Sequence, residues 1–427
     1  MPTEDPLQPT APALAVPQPL RRRARLRELP PPVRLLLASQ LAFNIGFYLV
    51  IPFLAQHLTE SLLLAGWLVG LVLGLRTASQ QGLFFVGGAL ADRYGTRPVV
   101  LAGCLVRVAG LLVLAVADGL PAVVVGTVLT GFAAALFSPA VEAALAHEGR
   151  ELERRGTTTR TELFALEEVV SRTGSLLGPA LGAALLFVPF GTLCVVSAGF
   201  FVLVLLATLR WSPRTPPAGG AVAVLTGWRR VLGNRRFLAL CLLQSTALLA
   251  HNQLYLALPA ELERSTGSQA ALGWLLVLAA SVTIALQVPV ARRTRRARPG
   301  RVLPLAALVT ATAFAVVAGA SALEPPSGPA ALAPAAALVV LLSLGQVLAA
   351  PVVRDLVPRM AQEASVGAHY GVLASVGGLV VLVGSSAVGA LLAPAGVSGP
   401  AASLPWVLLA GASTTSALGL AVLLRRA

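Results

Sequence analysis

The chain has 427 residues, of which 56% are hydrophobic and only 12% charged. Soluble domains carry about a quarter charged residues, so this balance excludes an ordinary soluble protein and points to a polytopic membrane protein. The formal net charge is +14, and every basic residue is an arginine. Such a charge could suggest nucleic acid, but the placement of the arginines along the chain accounts for it better by topology. Cys104, Cys194 and Cys241 lie in apolar stretches without metal or disulfide spacing, so no metal and no cofactor is expected.

Residues 1–33 are rich in proline and polar residues and contain Arg21, Arg22, Arg23, Arg25 and Arg27. They read as a disordered polybasic tail that lies beside the membrane and contacts its lipids. No cleavable signal peptide is expected, because the arginines run into Pro30-Pro31-Pro32 and then a full-length span. Spans need about 20 apolar residues each. They are predicted near 34–57, 64–90, 98–118, 121–145, 163–188, 191–211, 236–258, 270–291, 302–322, 331–353, 366–393 and 403–424, twelve in all.

With the N-terminus inside, nearly all arginines fall in inner segments. Arg264 alone falls outside, and Arg76, Arg107 and Arg172 fall within spans. This bias places both termini in the cytoplasm of a multi-pass inner-membrane protein. A basic Pro/Gly-containing linker, 212–235, separates a first half (34–211) from a second (236–427). The expected fold is therefore all-α, with twelve transmembrane helices in two six-helix halves around a central cavity. The second half carries a weak echo of the first: Pro289-Val-Ala-Arg292-Arg293-Thr-Arg295-Arg296 occupies the place of the motif described next.

Between spans 2 and 3 stands Gly88-Ala-Leu-Ala-Asp92-Arg93-Tyr-Gly95-Thr-Arg97-Pro98, predicted as a tight loop at the membrane surface. Gly88 would let a neighbouring helix approach closely, and Gly95 would take a backbone conformation that bulky residues resist. Asp92 would meet a helix N-terminus or an arginine, while Arg93 and Arg97 hold the loop inside. The stretch resembles the Gly-x-Leu-Ala-Asp-Arg-x-Gly-Arg/Lys signature of the major facilitator superfamily. The resemblance implies a conformational latch. In it a loop arginine meets an acid at the end of span 4, here Glu142, and the aspartate faces the start of span 11.

Charges inside a membrane are costly and default to functional candidates. Arg76 lies mid-way along span 2, one turn from Gln80. It either binds a substrate anion or a coupling carboxylate, or serves as a structural post between helices. Gln40, Asn44 and Tyr48 form a polar stripe on span 1, predicted to line the cavity, with hydrogen bonding to a neighbouring helix as the other reading. Span 7 adds Gln244, His251 and Tyr255 on one face. His251 could carry protons or bind substrate, or be a hydrogen-bonded packing residue.

Span 5 reads Glu167-Glu168-Val-Val-Ser-Arg172-Thr-Gly174-Ser-Leu-Leu-Gly178-Pro179-Ala-Leu-Gly182. Its glycines give a flat packing face and Pro179 bends the helix. Glu168 and Arg172 are spaced for an ion pair; Glu167, Glu168 and Arg172 are candidates for proton coupling, with one or both glutamates facing the aqueous cytoplasmic boundary as the other reading. Gly174, Gly178, Pro179 and Gly182 resemble the signature of the drug:proton antiporter branch of that superfamily. Asn44-Ile-Gly46-Phe-Tyr48, Gly74-Leu-Arg76, Gln80-Gln81-Gly82 and Leu105-Val-Arg107 resemble bacterial MdtH-type multidrug exporters.

That resemblance implies a monomer that exports amphipathic small molecules against protons by alternating access. The alternatives are a proton-coupled transporter of one specific metabolite and a transport-inactive sensor with the same fold. An enzyme is not expected, since no nucleophile–base pair or converging carboxylate set stands at suitable spacing, and there is no nucleotide-binding loop.

Overall fold

The computed structural model describes residues 29–158, 160–184, 188–212, 231–294, 297–361, 366–392 and 397–425. The arginines of the N-terminal tail, the linker 213–230, and Arg295 and Arg296 lie outside the described residues. Those described contain helices and turns and no strand.

The first half comprises α1 (Pro31–Gln56), α2 (Gly66–Gly82), α3 (Phe84–Tyr94), α4 (Thr96–Ala115), α5 (Leu120–Arg154), α6 (Arg160–Ala184) and α7 (Phe190–Trp211). The second comprises α8 (Arg235–Asn252), α9 (Ala257–Thr266), α10 (Leu272–Thr294), α11 (Pro299–Ser321), α12 (Ala333–Met360), α13 (Val366–Leu391) and α14 (Pro400–Leu423). Each observed helix or helix pair overlaps one predicted span. Helix α1 begins at Pro31, inside the stretch expected to be tail, because proline is pre-set for the first helical position, where no amide donor is needed. Helix α5 runs to Arg154, past its apolar stretch. Its last turns are held by Glu151, which accepts from Arg155 Nε at 2.8 Å and pairs with Arg154; the two arginines hold that carboxyl below its usual range.

Among the described residues, nine helices and one bent pair, α8 with α9, are long and apolar enough to cross a membrane. The predicted spans at 64–90 and 163–188 are helical but differ in kind. The first breaks at Leu83 into α2 and α3. The second, α6, carries Glu167, Glu168 and Arg172.

Within the first half, α1 packs on α6 and α7, and α4 on α5 and α7. In the second, α11 packs on α12 and α14, and α8 on α13 and α14. The halves meet along two seams, α2 with α13 and α6 with α10. Each seam joins the second predicted span of one half to the fifth of the other, so the two seams mirror one another.

The loop motif is shorter than expected. Residues Phe84–Tyr94 are all helical, and Gly95 alone makes the turn, at φ 86° and ψ 160°. That is a left-handed φ, so Gly95 does the conformational work assigned to it. Gly88 does not: a Cβ there would meet nothing within 4 Å. Close approach falls to Gly87, where a Cβ would collide with the Ala135 carbonyl of α5. One residue is 100° of helix rotation, so the motif's glycine faces away from α5 while its neighbour faces it. Gly88→Ala is therefore expected to leave thermal stability unchanged, whereas Gly87→Ala lowers it by about 1–3 kcal/mol. Melting curves of the two variants in detergent test this.

Candidate functional site

The seams define three levels. At one end, called here the closed end, α2 and α13 touch backbone to backbone. A Cβ at Gly66 or Gly70 would strike the carbonyl oxygens of Gly389 and Ser385, and one at Gly74 would lie 2.7 Å from Leu382 Cα. Ser386 Oγ donates to the Trp67 carbonyl at 3.2 Å. A widened helical turn, His57–Ser61, ends α1 and carries Glu60, which accepts from Gln269 Nε2 of the second half at 3.0 Å. Of these seam residues only Gly74 was singled out in the sequence, and not as a packing residue. Gly66, Gly70 and Gly74 nonetheless repeat at i, i+4, i+8, the same spacing that marks the glycines of α6.

At mid-depth the halves meet through side chains. Thr77 Oγ1 donates to Asn252 Oδ1 at 2.9 Å, and Tyr48 lies near Tyr255. Tyr255 Oη lies 3.4 Å from His251 Nε2. Arg76 is 5% exposed; its Nη2 donates to Gln80 Oε1 at 2.6 Å, and its guanidinium stands 4.4 Å over Phe47. Arg107 is more buried still, donating to the Thr130 carbonyl at 2.7 Å among the rings of Phe43, Phe47 and Phe201. Among the described residues neither arginine pairs with a carboxylate, and the Nε of each has no hydrogen-bond partner. Aromatic faces and carbonyl dipoles replace the missing counter-ion.

Toward the other end, which carries the arginine-rich loops, acids gather between the halves. Glu167 Oε1 accepts from Gln40 Nε2 at 2.9 Å. Glu168 Oε1 accepts from Arg172 Nε at 2.9 Å and, across the seam, from Gln287 Nε2 of α10 at 3.1 Å. Arg354 of α12 is within electrostatic range of Glu142, Glu167 and Glu168. Glu142 is exposed to solvent there.

Several expectations are corrected. Glu142 does not meet the loop arginines. Arg97 Nη2 instead donates to the Leu209 carbonyl at 2.7 Å, near the C-terminus of α7 where a cation is favoured, and Arg93 lies over the Tyr94 ring. The side chain of Asp92 lies outside the described residues. The stripe Gln40, Asn44, Tyr48 faces α6 more than a cavity. Asn44 Nδ2 donates to Ser171 Oγ at 3.0 Å, and Cβ atoms at Gly174 and Gly178 would lie 2.7 and 2.5 Å from the Cβ atoms of Asn44 and Tyr48. Gly182 meets Phe53 in the same way. The glycines thus admit the polar stripe, and two sequence features are one interface. Gln244 and His251 line a cavity of 30 Å³ inside the second half, with Thr310 and Gln346. That is room for about one water among polar groups.

Helices in two pseudo-symmetric halves, with polar groups between them, define a membrane transporter. The sequence matches the Major Facilitator Superfamily over residues 36–385, and the chain belongs to that family. It is 36% identical over 383 residues to an uncharacterized MFS-type transporter of Mycobacterium tuberculosis, covering 87% of this chain and 88% of that one. It is 30% identical over 381 residues to the multidrug resistance protein MdtH of Aeromonas hydrophila, covering 88% and 90%. The fold is shared with the solved nucleoside transporter NupG (TM-score 0.74, 14% identity, 93% of this chain and 100% of that one). It is also shared with an auto-inhibited POT family peptide transporter (TM-score 0.74, 17% identity, 93% and 97%). The protein is therefore a multi-pass membrane transporter and not an enzyme.

Proposed function

We propose that this protein is a secondary active exporter that moves amphipathic small molecules out of the cell in exchange for protons, by alternating access. The observation that carries the reading is Glu168. It sits between the halves, bonded to Arg172 of its own helix and to Gln287 of the other half. Protonation removes the charge that holds both partners, so it loosens the α6–α10 seam and biases the opening of one end over the other. Glu167 and Glu142 share the same aqueous approach and form the rest of the relay.

The arginine-rich end is cytoplasmic by the positive-inside rule, which puts both termini inside and the closed Gly66–Gly389 end outside. In this arrangement the depicted state faces inward. The asparagine, tyrosine and arginine groups at mid-depth give substrate a few polar anchors in an otherwise aliphatic and aromatic lining. The relatives named as multidrug resistance proteins support export of varied compounds. The loop motif around Asp92 acts as a latch of the inward end in the opposite state.

The test is flux into proteoliposomes of known orientation, with a cationic amphipathic dye and an imposed pH gradient. Dye movement against proton flow, abolished by a protonophore, is expected. Dye that does not move at all would replace multidrug export with transport of one specific metabolite.

A further inference from the structure

The second half holds a cavity of 760 Å³ lined by described residues of that half. It opens at the arginine-rich end, among the ends of α8, α10, α11, α12 and α14. Its charged lining is Arg236, Arg298, Arg359 and Asp355; its apolar lining includes Pro351, Leu356 and Leu424. Arg354, on the same helix as Asp355, is absent from this lining and acts on the glutamates of the first half instead. The cavity and the glutamate cluster therefore lie on different faces of α12.

Among the described residues, the charges in the cavity do not cancel. Asp355 Oδ2 pairs with Arg359 Nη2 at 2.7 Å. Arg236 Nη2 donates to the Leu423 carbonyl at 3.1 Å, which uses a donor without neutralising the charge. The Arg298 side chain makes no hydrogen bond or ion pair among the described residues, and the residue is the N-cap of α11, whose first turn has no side-chain cap. Two guanidiniums are left over beside the positive end of a helix dipole. A volume of this size takes a ligand of drug size.

We infer that this cavity binds a phosphate ester, with its phosphate between Arg298 and Arg236 at the start of α11 and its organic part against the apolar wall. Arginine forks match phosphate oxygens in pairs, and two uncompensated cations favour an anionic phosphate. The same chemistry is offered by the headgroup of an anionic phospholipid in the adjoining leaflet and by a soluble phosphate compound.

The experiment titrates the purified full-length protein in detergent with two probes, short-chain phosphatidylglycerol and inorganic pyrophosphate, against short-chain phosphatidylcholine as background. Saturable binding of phosphatidylglycerol alone assigns the lipid source; binding of pyrophosphate as well assigns a soluble one. Arg298→Ala and Arg236→Ala should each weaken binding about fivefold, and weaken it less as salt rises. Asp355→Asn should strengthen binding, because it frees Arg359 and removes an anion from the lining. The opposed signs separate ligand binding from loss of fold. Neither probe binding above background, or all three variants binding as wild type does, would overturn the site.

Discussion

Gly70→Val is expected to stop the two halves from closing at the Gly66 end and to reduce transport by about 100-fold or more. A Cβ at Gly70 would strike the Ser385 carbonyl oxygen and stand 2.6 Å from its carbon, and backbone cannot swing aside as a side chain can. The seam must be dismantled and rebuilt in every alternating-access cycle, so a residue that blocks it removes one of the two states. Closure is read directly with a short bifunctional maleimide on Glu60→Cys/Gln269→Cys, the pair joined across the halves at 3.0 Å. The three native cysteines are buried and stay silent. Cross-linking should be efficient in the wild-type background and lost with Gly70→Val. Equal cross-linking and equal transport in both would mean that the seam is not part of the cycle.

Glu261→Ala should lower stability by about 3–5 kcal/mol, the largest loss expected from one polar substitution outside the transport path. Glu261 and Arg264 are 2% and 5% exposed at their side chains, and Arg264 sets Nε and Nη2 on the two carboxylate oxygens at 2.9 and 2.7 Å. Its Nη1 donates to Ser398 Oγ at 3.0 Å. Removing the acid leaves a buried guanidinium with one neutral partner. Replacing both charges, as Glu261→Met with Arg264→Leu, should cost far less than the single change. Thermal unfolding followed by fluorescence decides it; a single variant as stable as wild type would show that the pair is hydrated in solution.

The same pair explains a feature of the sequence. Arg264 was the one arginine on the wrong side of the charge bias. Arg264 is neutralised by Glu261 three residues earlier, so the pair adds no net charge to its end of the helix. The span pattern was legible because a membrane helix satisfies its own backbone and must be long and apolar; those constraints act locally. The break at Leu83 and the π-turn at His57–Ser61 were not legible, since neither involves a proline or a glycine run. The glycines of α6 were read correctly as a packing face, yet their partner was not. The stripe Gln40, Asn44, Tyr48 fits a cavity lining as well as a helix contact, and only the rotation of α1 decides between them. Glu142 was paired with a loop arginine because the motif resembles the family latch; in this state the α7 carbonyl holds Arg97 instead, a contact that no motif displays.

Glu168 is where the proposed coupling and the observed geometry coincide, so its neutral isostere gives the most direct measurement. Wild-type protein and Glu168→Gln would be compared in oriented proteoliposomes, measuring downhill dye exchange and pH-driven uphill dye transport separately. If Glu168 couples protons to the α6–α10 seam, the variant keeps downhill exchange and loses uphill transport. Uphill transport that survives in Glu168→Gln would contradict that coupling and pass the role to Glu142, Glu167 or His251.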